Sequence, residues 1–233
     1  MATDSYDFET EDPGAGNPFT GWTDDTSNTW EIEKESGAGA RWENGDTGGS
    51  GLQVFNWAAP GSLSIAADAA IEILVAFRSA DIGNGEPWVV LFSDGDSGLT
   101  GGYAPNFNGT DMRISRYDNG SNFQNFASFT PSTAPADNET WWLRYMLNGS
   151  NEHHMRIWED GTSEPGSWDV GPVTQSTITS GEIGLGSNTF TENSEWDFIS
   201  YGTGGDAAPG PGGAAATSLA IPRGRRNANL MGL

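Results

Sequence analysis

The chain has 233 residues, with 32 acidic against 10 basic side chains for a net charge of -22, and no cysteine. That charge excludes a surface built to grip a phosphate backbone, which needs a basic footprint, and one built for an anionic membrane face. Without cysteine there are no disulfides, thiol nucleophiles or zinc–thiolate centres. Thirty-three glycines and 12 prolines beside 10 tryptophans and 11 phenylalanines describe short strands, many turns and a bulky core, at a length that suits one large β-sandwich as well as two small domains.

Residues 4–9 read as a first strand and residues 10–21 as a Gly/Pro/Asp/Asn-rich loop. The N-terminus has no basic stretch followed by an apolar one, and no run is long and apolar enough to span a bilayer, so the expectation is a cytosolic product without a secretion signal. A strand over residues 28–35 puts Glu31, Glu33 and Glu35 on one face, which is either wet or cation-binding. Short strands follow at 40–43, 51–57 and 62–65. Residues 70–80 read as a central core strand, with Ile71, Ile73, Val75 and Phe77 on one face, and the apolar run 88–93 is expected as its buried neighbour. After a loop at 94–98, strands are expected at 99–103 and 112–117, the latter ending in the turn Asp118-Asn119-Gly120. Phe123, Phe126 and Phe129 then sit in a polar, Asn/Ser-rich setting, and residues 131–139 form a loop.

The clearest patterning lies between residues 140 and 205. Residues 141–147, 153–159 and 195–202 alternate large apolar with polar side chains, the period of a strand with one buried face. Asn148-Gly149 and Asp160-Gly161 are turn dipeptides at strand ends and predict antiparallel hairpins. Residues 181–186, GEIGLG, predict a strand where another backbone approaches closely. No sustained helical period and no internal repeat are present. Trp141, Trp158 and Trp196 are expected in the core.

Composition breaks at Asp206. Residues 206–216, DAAPGPGGAAA, read as a flexible small-residue linker. Residues 217–233 carry Arg223, Arg225 and Arg226 with Ile221, Leu230 and Leu233, a basic and apolar tail too short to fold alone but suited to docking on a partner. Residues 1–205 hold 7 basic and 31 acidic groups, a net -24, against a net +2 for 206–233.

The order Trp-Trp-Leu-Arg (141–144), Arg-Ile-Trp-Glu-Asp-Gly (156–161), Glu-Pro-x-x-Trp (164–168), Gly-Glu-Ile-Gly-Leu (181–185) and Glu-Trp-Asp-Phe-Ile-Ser-Tyr-Gly-Thr (195–203) resembles the C-terminal half of concanavalin A-like, laminin G-like jelly rolls. Tyr6-Asp7-Phe8-Glu9 followed by Gly21-Trp22-Thr23 resembles their opening strand. The resemblance covers most of residues 1–205 and implies an all-β, antiparallel jelly-roll sandwich with an extended C-terminal tail. Its function is left open, since the fold hosts lectins, hydrolases and structural virion parts alike.

Candidate chemistry follows from the residues and from that resemblance. The glucanases of the fold carry Glu-x-Asp-x-x-Glu, the paired carboxylates that retaining hydrolysis needs. Here Glu195-Trp196-Asp197 is followed by Ser200 in place of the second Glu, and Glu31-Ile32-Glu33 fails likewise, so no catalytic residue is assigned. His153 and His154 are adjacent and face opposite sides of a strand. Asp94-x-Asp96-x-Gly98 is half of a calcium-loop pattern. The resemblance implies a calcium where the first and last strands meet, which points to Asp7 and Asp197. For glycan binding, Trp57, Trp88, Tyr103, Phe107, Phe123 and Trp168 lie near loops or strand ends as aromatic platforms, with core packing the competing reading of each.

The function expected from these features is a non-catalytic structural or adhesive module of a larger assembly, namely a phage virion, as a head-decoration or fibre-like protein. It would bind glycans, dock through Ile221, Arg223, Arg225, Arg226, Leu230 and Leu233, and be oligomeric in that assembly. The alternatives are a free lectin-like protein and an atypical glycan hydrolase using Glu195 and Asp197.

Overall fold

A computed structural model describes residues 2–8, 22–24, 30–34, 40–44, 53–57, 60–79, 87–94, 101–117, 124–187 and 194–211. In chain order the strands are β1 (Thr3–Asp7), β2 (Trp22–Asp24), β3 (Trp30–Lys34), β4 (Ala40–Asn44), β5 (Gln53–Trp57), β6 (Leu63–Ser64), β7 (Ile71–Ser79) and β8 (Pro87–Ser93). They continue with β9 (Gly102–Phe107), β10 (Met112–Tyr117), β11 (Gln124–Phe129), β12 (Trp141–Leu147), β13 (Glu152–Glu159), β14 (Val170–Thr174), β15 (Ser180–Ser187) and β16 (Ser194–Thr203). One helical turn, α1 (Ile65–Asp68), interrupts them; the Ser64 hydroxyl caps it by accepting from the Ala67 amide at 3.2 Å.

The strands form two eight-stranded antiparallel sheets. Sheet I runs β14-β13-β12-β7-β16-β4-β3, with β1 also paired to β16; sheet II runs β11-β10-β9-β8-β15-β5-β2, with β6 also paired to β15. The sheets face each other across a core that includes Ile71, Ile73, Val75 and Phe77 from β7 and Val89, Leu91 and Phe92 from β8. This is the expected concanavalin A-like jelly-roll sandwich. The two longest apolar runs are not neighbours, however. β7 pairs with β12 and β16, whereas β8 pairs with β9 and β15. Each is central in its own sheet, and a central strand is covered on both faces, which is why both runs lose the alternation of a one-faced strand.

Local signals explain the register. Asn148-Gly149 turns β12 into β13, with the Asn148 amide donating to Glu152 O at 3.0 Å, and the resulting ladder sets Trp142 opposite Trp158 and Arg144 opposite Arg156. Gly181 on β15 lies so close to β8 that an added Cβ would sit 2.5 Å from the Phe92 carbonyl carbon. That is the close backbone approach the small residues predicted. Two strands go unannounced in the sequence: β11, an edge strand with polar outward residues, and β14, an edge strand containing Gly171-Pro172, a dipeptide tolerated only where one backbone edge is free of ladder bonds.

The domain boundary also moves. Residues 206–211 were expected as flexible linker, yet the chain crosses the outer face of sheet I there. Ala208 is 2% exposed, its amide donates to Glu72 Oε1 at 3.0 Å, its carbonyl accepts from Arg144 at 3.2 Å, and Pro209 O accepts from the Ser200 hydroxyl at 2.7 Å. Small residues here serve close packing: Gly202 leaves room for the Asp206 and Ala207 backbone, which an added Cβ would meet at 2.3 Å. The remainder of the expected linker and the whole tail, with Ile221, Arg223, Arg225, Arg226, Leu230 and Leu233, lie outside the described residues.

Candidate functional site

The outer face of sheet I is built in rows by strand register. One row holds Trp158, Trp142, Ala76 and Phe198; the next holds Arg156, Arg144, Leu74 and Ser200. In the first row the Trp142 and Trp158 rings stack at 6.2 Å with 13° between planes, and Phe198 packs on Trp142 at 5.7 Å. The Trp142 indole N–H donates to Asp160 Oδ1 at 2.7 Å, which fixes the ring. With Trp142 behind it, Trp158 is held upright and half-buried.

In the second row Glu164 clamps the arginines. Arg144 donates from Nε and Nη2 to the two Glu164 oxygens at 2.6 and 3.0 Å, and Arg156 Nη2 pairs with the same carboxylate. Arg144 Nη1 also reaches the Glu72 carboxylate. A bidentate arginine fork is the geometry that best fixes a carboxylate in place. Its effect is to pull the loop 160–169 across the sheet. Trp168, on that loop, lies with the Arg156 guanidinium 4.4 Å from its ring centre and His154 at 5.4 Å. Asp169 ties the far end of the loop to β13: its Oδ2 accepts from the Ile157 amide at 3.0 Å.

Between this loop and the segment that follows β11 opens a cleft of about 310 Å³. Its apolar wall is Trp158 and Trp141 with Phe129, Pro131 and Pro165. Hydroxyls from Ser132 and Thr133 on one side and Thr162 and Ser163 on the other line it, together with the carboxylates of Glu159 and Asp169. Aromatic surface with a few convergent polar groups, at a volume near the low end of roughly 300–1,000 Å³, is the usual make-up of a small-ligand site.

Most of the sequence candidates lie elsewhere. Trp57 is 1% exposed, stacked on Trp22 at 5.9 Å with Tyr201 edge-on at 5.5 Å. Trp88, also 1% exposed, is packed with Val90, Ala104 and Tyr117 on the outer face of sheet II. Tyr103 and Phe107 are fully buried. These four are core, because a ring enclosed on every side has no face for a sugar; they are withdrawn as platforms. Phe123 lies outside the described residues. Of the five described candidates, Trp168 alone lies on the loop that borders the cleft. Trp158, expected in the core with Trp141 and Trp196, instead forms the cleft wall, while Trp141 and Trp196 are buried as expected.

Of the carboxylates expected to bind metal, Asp94 and Asp197 have described side chains. Asp94 is exposed, Asp96 and the Asp7 side chain lie outside the described residues, and Asp197 is 9% exposed at an irregularity between Trp196 and Phe198. Backbone pairing does set Asp7 opposite Phe198, one position from Asp197. Among the described residues, no three His, Asp or Glu side chains converge as a metal site. Glu195 is 4% exposed and receives Arg78 Nε at 2.6 Å and Nη2 at 3.2 Å, the geometry of a structural ion pair.

The two histidines do face opposite ways. His153 is fully buried between the sheets, with its ring 4.5 Å from Tyr103 and 5.0 Å from Phe126. Its Nε2 lies 2.9 Å from the Gln175 carbonyl, which can only accept, so Nε2 carries the proton and Nδ1 accepts from the Tyr145 hydroxyl at 2.6 Å. Burial lowers His153 to about 4, against the smaller opposing pull of the Gln175 carbonyl. Burial likewise pushes the Tyr145 hydroxyl well above its ordinary value. This network is a neutral structural element, remote in kind from the cleft.

The architecture is the concanavalin A-like jelly-roll fold, and solved structures share it. Carbohydrate-binding module CBM66 from Bacillus subtilis superposes with a TM-score of 0.52 at 16% identity, covering 78% of this chain and 92% of that one. The Emp46p carbohydrate recognition domain in its metal-free form gives 0.53 at 16% identity, covering 85% and 95%. A protein of unknown function with a galectin-like fold from Bacillus subtilis gives 0.54 at 11% identity, covering 87% and 97%. No family model matches the sequence, and no curated protein does.

Proposed function

We propose that this chain is a non-catalytic glycan-binding module whose site is the Trp158 cleft. The observation that carries the proposal is one ring, Trp158, backed by Trp142 and walling a cleft lined with four hydroxyls and two carboxylates. An aromatic face takes the C–H face of a pyranose or furanose ring, while side-chain hydroxyls donate or accept hydrogen bonds at its rim and carboxylates accept from its hydroxyls. The likeness to carbohydrate-binding and carbohydrate-recognition domains supports the same reading. The non-catalytic part is supported by Glu195, which is committed to Arg78. A glycan array with wild-type protein and Trp158→Ala, each with and without chelator, tests it: saccharide binding that Trp158→Ala abolishes supports the site, and binding that survives this change relocates it. The chelator arm tests calcium at Asp7, Asp94, Asp96 and Asp197.

A second reading keeps the glycan site and adds attachment to a larger assembly of the phage-virion type through residues 217–233. It is favoured by the division of charge, -24 against +2, between body and C-terminal segment. Its test is co-sedimentation with particles of full-length protein against a chain ending at residue 211. Equal behaviour of the two would remove the tail as an anchor.

A further inference from the structure

Resting on the glycan-binding reading above, we infer that the Trp158 cleft selects neutral saccharides and rejects carboxylated or sulfated ones. Among the described residues, the cleft wall contains Glu159 and Asp169 and no lysine or arginine. Arg144 and Arg156, on the strands beside the cleft, do not compensate, because both guanidiniums are turned onto the Glu164 carboxylate and Arg144 is shared with Glu72 as well; Arg113, laddered next to Phe129 on β10, is paired with Asp111. Arg144, forked in this way, keeps little donor capacity for a ligand; Arg156 reaches Glu164 through Nη2 alone and keeps an unpartnered Nε, but the two guanidinium charges are matched by the carboxylates of Glu164 and Glu72. Asp169 is held by the Ile157 amide. Glu159 is exposed on the rim of the cleft. An incoming carboxylate therefore meets negative charge at the rim and negative charge beyond it, since the whole chain carries -22. A neutral sugar meets the same carboxylates as hydrogen-bond acceptors for its hydroxyls, at no electrostatic cost.

The experiment pairs each of four neutral hexose polymers (a glucan, a galactan, a mannan and a fructan) with its own carboxylated derivative. Affinities for the full-length protein are read by calorimetry at about 20 mM and about 500 mM salt, where charge–charge effects are respectively strong and largely screened. For whichever polymer is bound, the neutral member is expected to bind at least about 10-fold tighter at low salt, the gap closing to about 3-fold or less at high salt. Glu159→Gln should narrow the low-salt gap, a change that a purely steric rejection of the added group would not produce. A carboxylated member that binds as tightly as its neutral parent at low salt overturns the inference and leaves the glycan reading standing. Binding of none of the eight polymers counts against the glycan reading itself.

Discussion

Protonating His153 should unfold this protein from within, and the size of the effect can be worked from its surroundings. Both ring nitrogens are satisfied only while the ring is neutral: Nε2 donates to Gln175 O and Nδ1 accepts from Tyr145. A second proton on Nδ1 would force the Tyr145 hydroxyl to turn and accept, stranding its own proton in a fully buried site. The folded chain therefore holds His153 at about 4, while the unfolded chain takes the proton near 6.5. Because the unfolded state binds the proton first, stability is complete above the unfolded value and is lost as pH falls towards the folded one. The whole span is worth about 3 kcal/mol, of which about 2 kcal/mol is lost between about pH 7 and pH 5. Urea unfolding at constant ionic strength across that interval, above the isoelectric point of 4.1, reads it directly. His153→Gln should cut the pH dependence by more than half whatever its effect on absolute stability. His154, lowered more modestly by burial, is the matched control, and His154→Gln should leave most of the slope in place. A His153→Gln protein with the wild-type slope would refute the reasoning.

Other expected outcomes test the outer face of sheet I. Trp158→Ala should weaken saccharide binding by about 1–3 kcal/mol in calorimetry, the range for losing an aromatic stacking partner, with Trp168→Ala costing less because Arg156 already lies on its ring. Arg144→Met should lower unfolding free energy by about 2–4 kcal/mol in urea titration, since it leaves Glu72 without its arginine and Glu164 with Arg156 alone. A chain ending at residue 205 should be less stable than one ending at 211 by about 2–4 kcal/mol, two or three hydrogen bonds and a buried Ala208 being removed; equal melting of the two would restore 206–211 to the status of linker.

How much of this was legible depended on whether a signal was local. Strands β12, β13 and β16 follow from alternation and β7 from its apolar run, and Asn148-Gly149 announces the β12–β13 hairpin, although its register is set by a longer loop that closes at Glu152 with Asn151 at positive φ. Strand partners across the sandwich are not local: nothing in the runs at β7 and β8 says that they belong to different sheets. The aromatic platforms were misplaced for a related reason. Proximity to a loop says little about whether a ring is covered: Trp57, Tyr103 and Phe107 turn into the core between the sheets, and Trp88 is covered on the outer face of sheet II. A sharper signal was present in Trp141-Trp142. Adjacent residues on a strand face opposite ways, so one of the pair had to point outward, and the hairpin register then carries Trp158 out with it. The docking of Ala208 was hidden because small residues read as linker when their partners, Glu72, Arg144 and Ser200, lie far away in sequence.

The two ends of the sandwich are joined by more than sheet pairing. The Ala2 amide donates to the Thr203 hydroxyl at 2.9 Å, and the Thr203 amide donates back to Ala2 O at 2.9 Å. The first and last strands are thus clasped at one end of their pairing, several residues along β16 from the Trp142–Trp158 row. From that clasp the chain doubles back over the outer face to seat Ala208 against Leu74, Ala76 and Phe198. Thr203 therefore works as a buckle: opening it would loosen the first strand and the returning segment together.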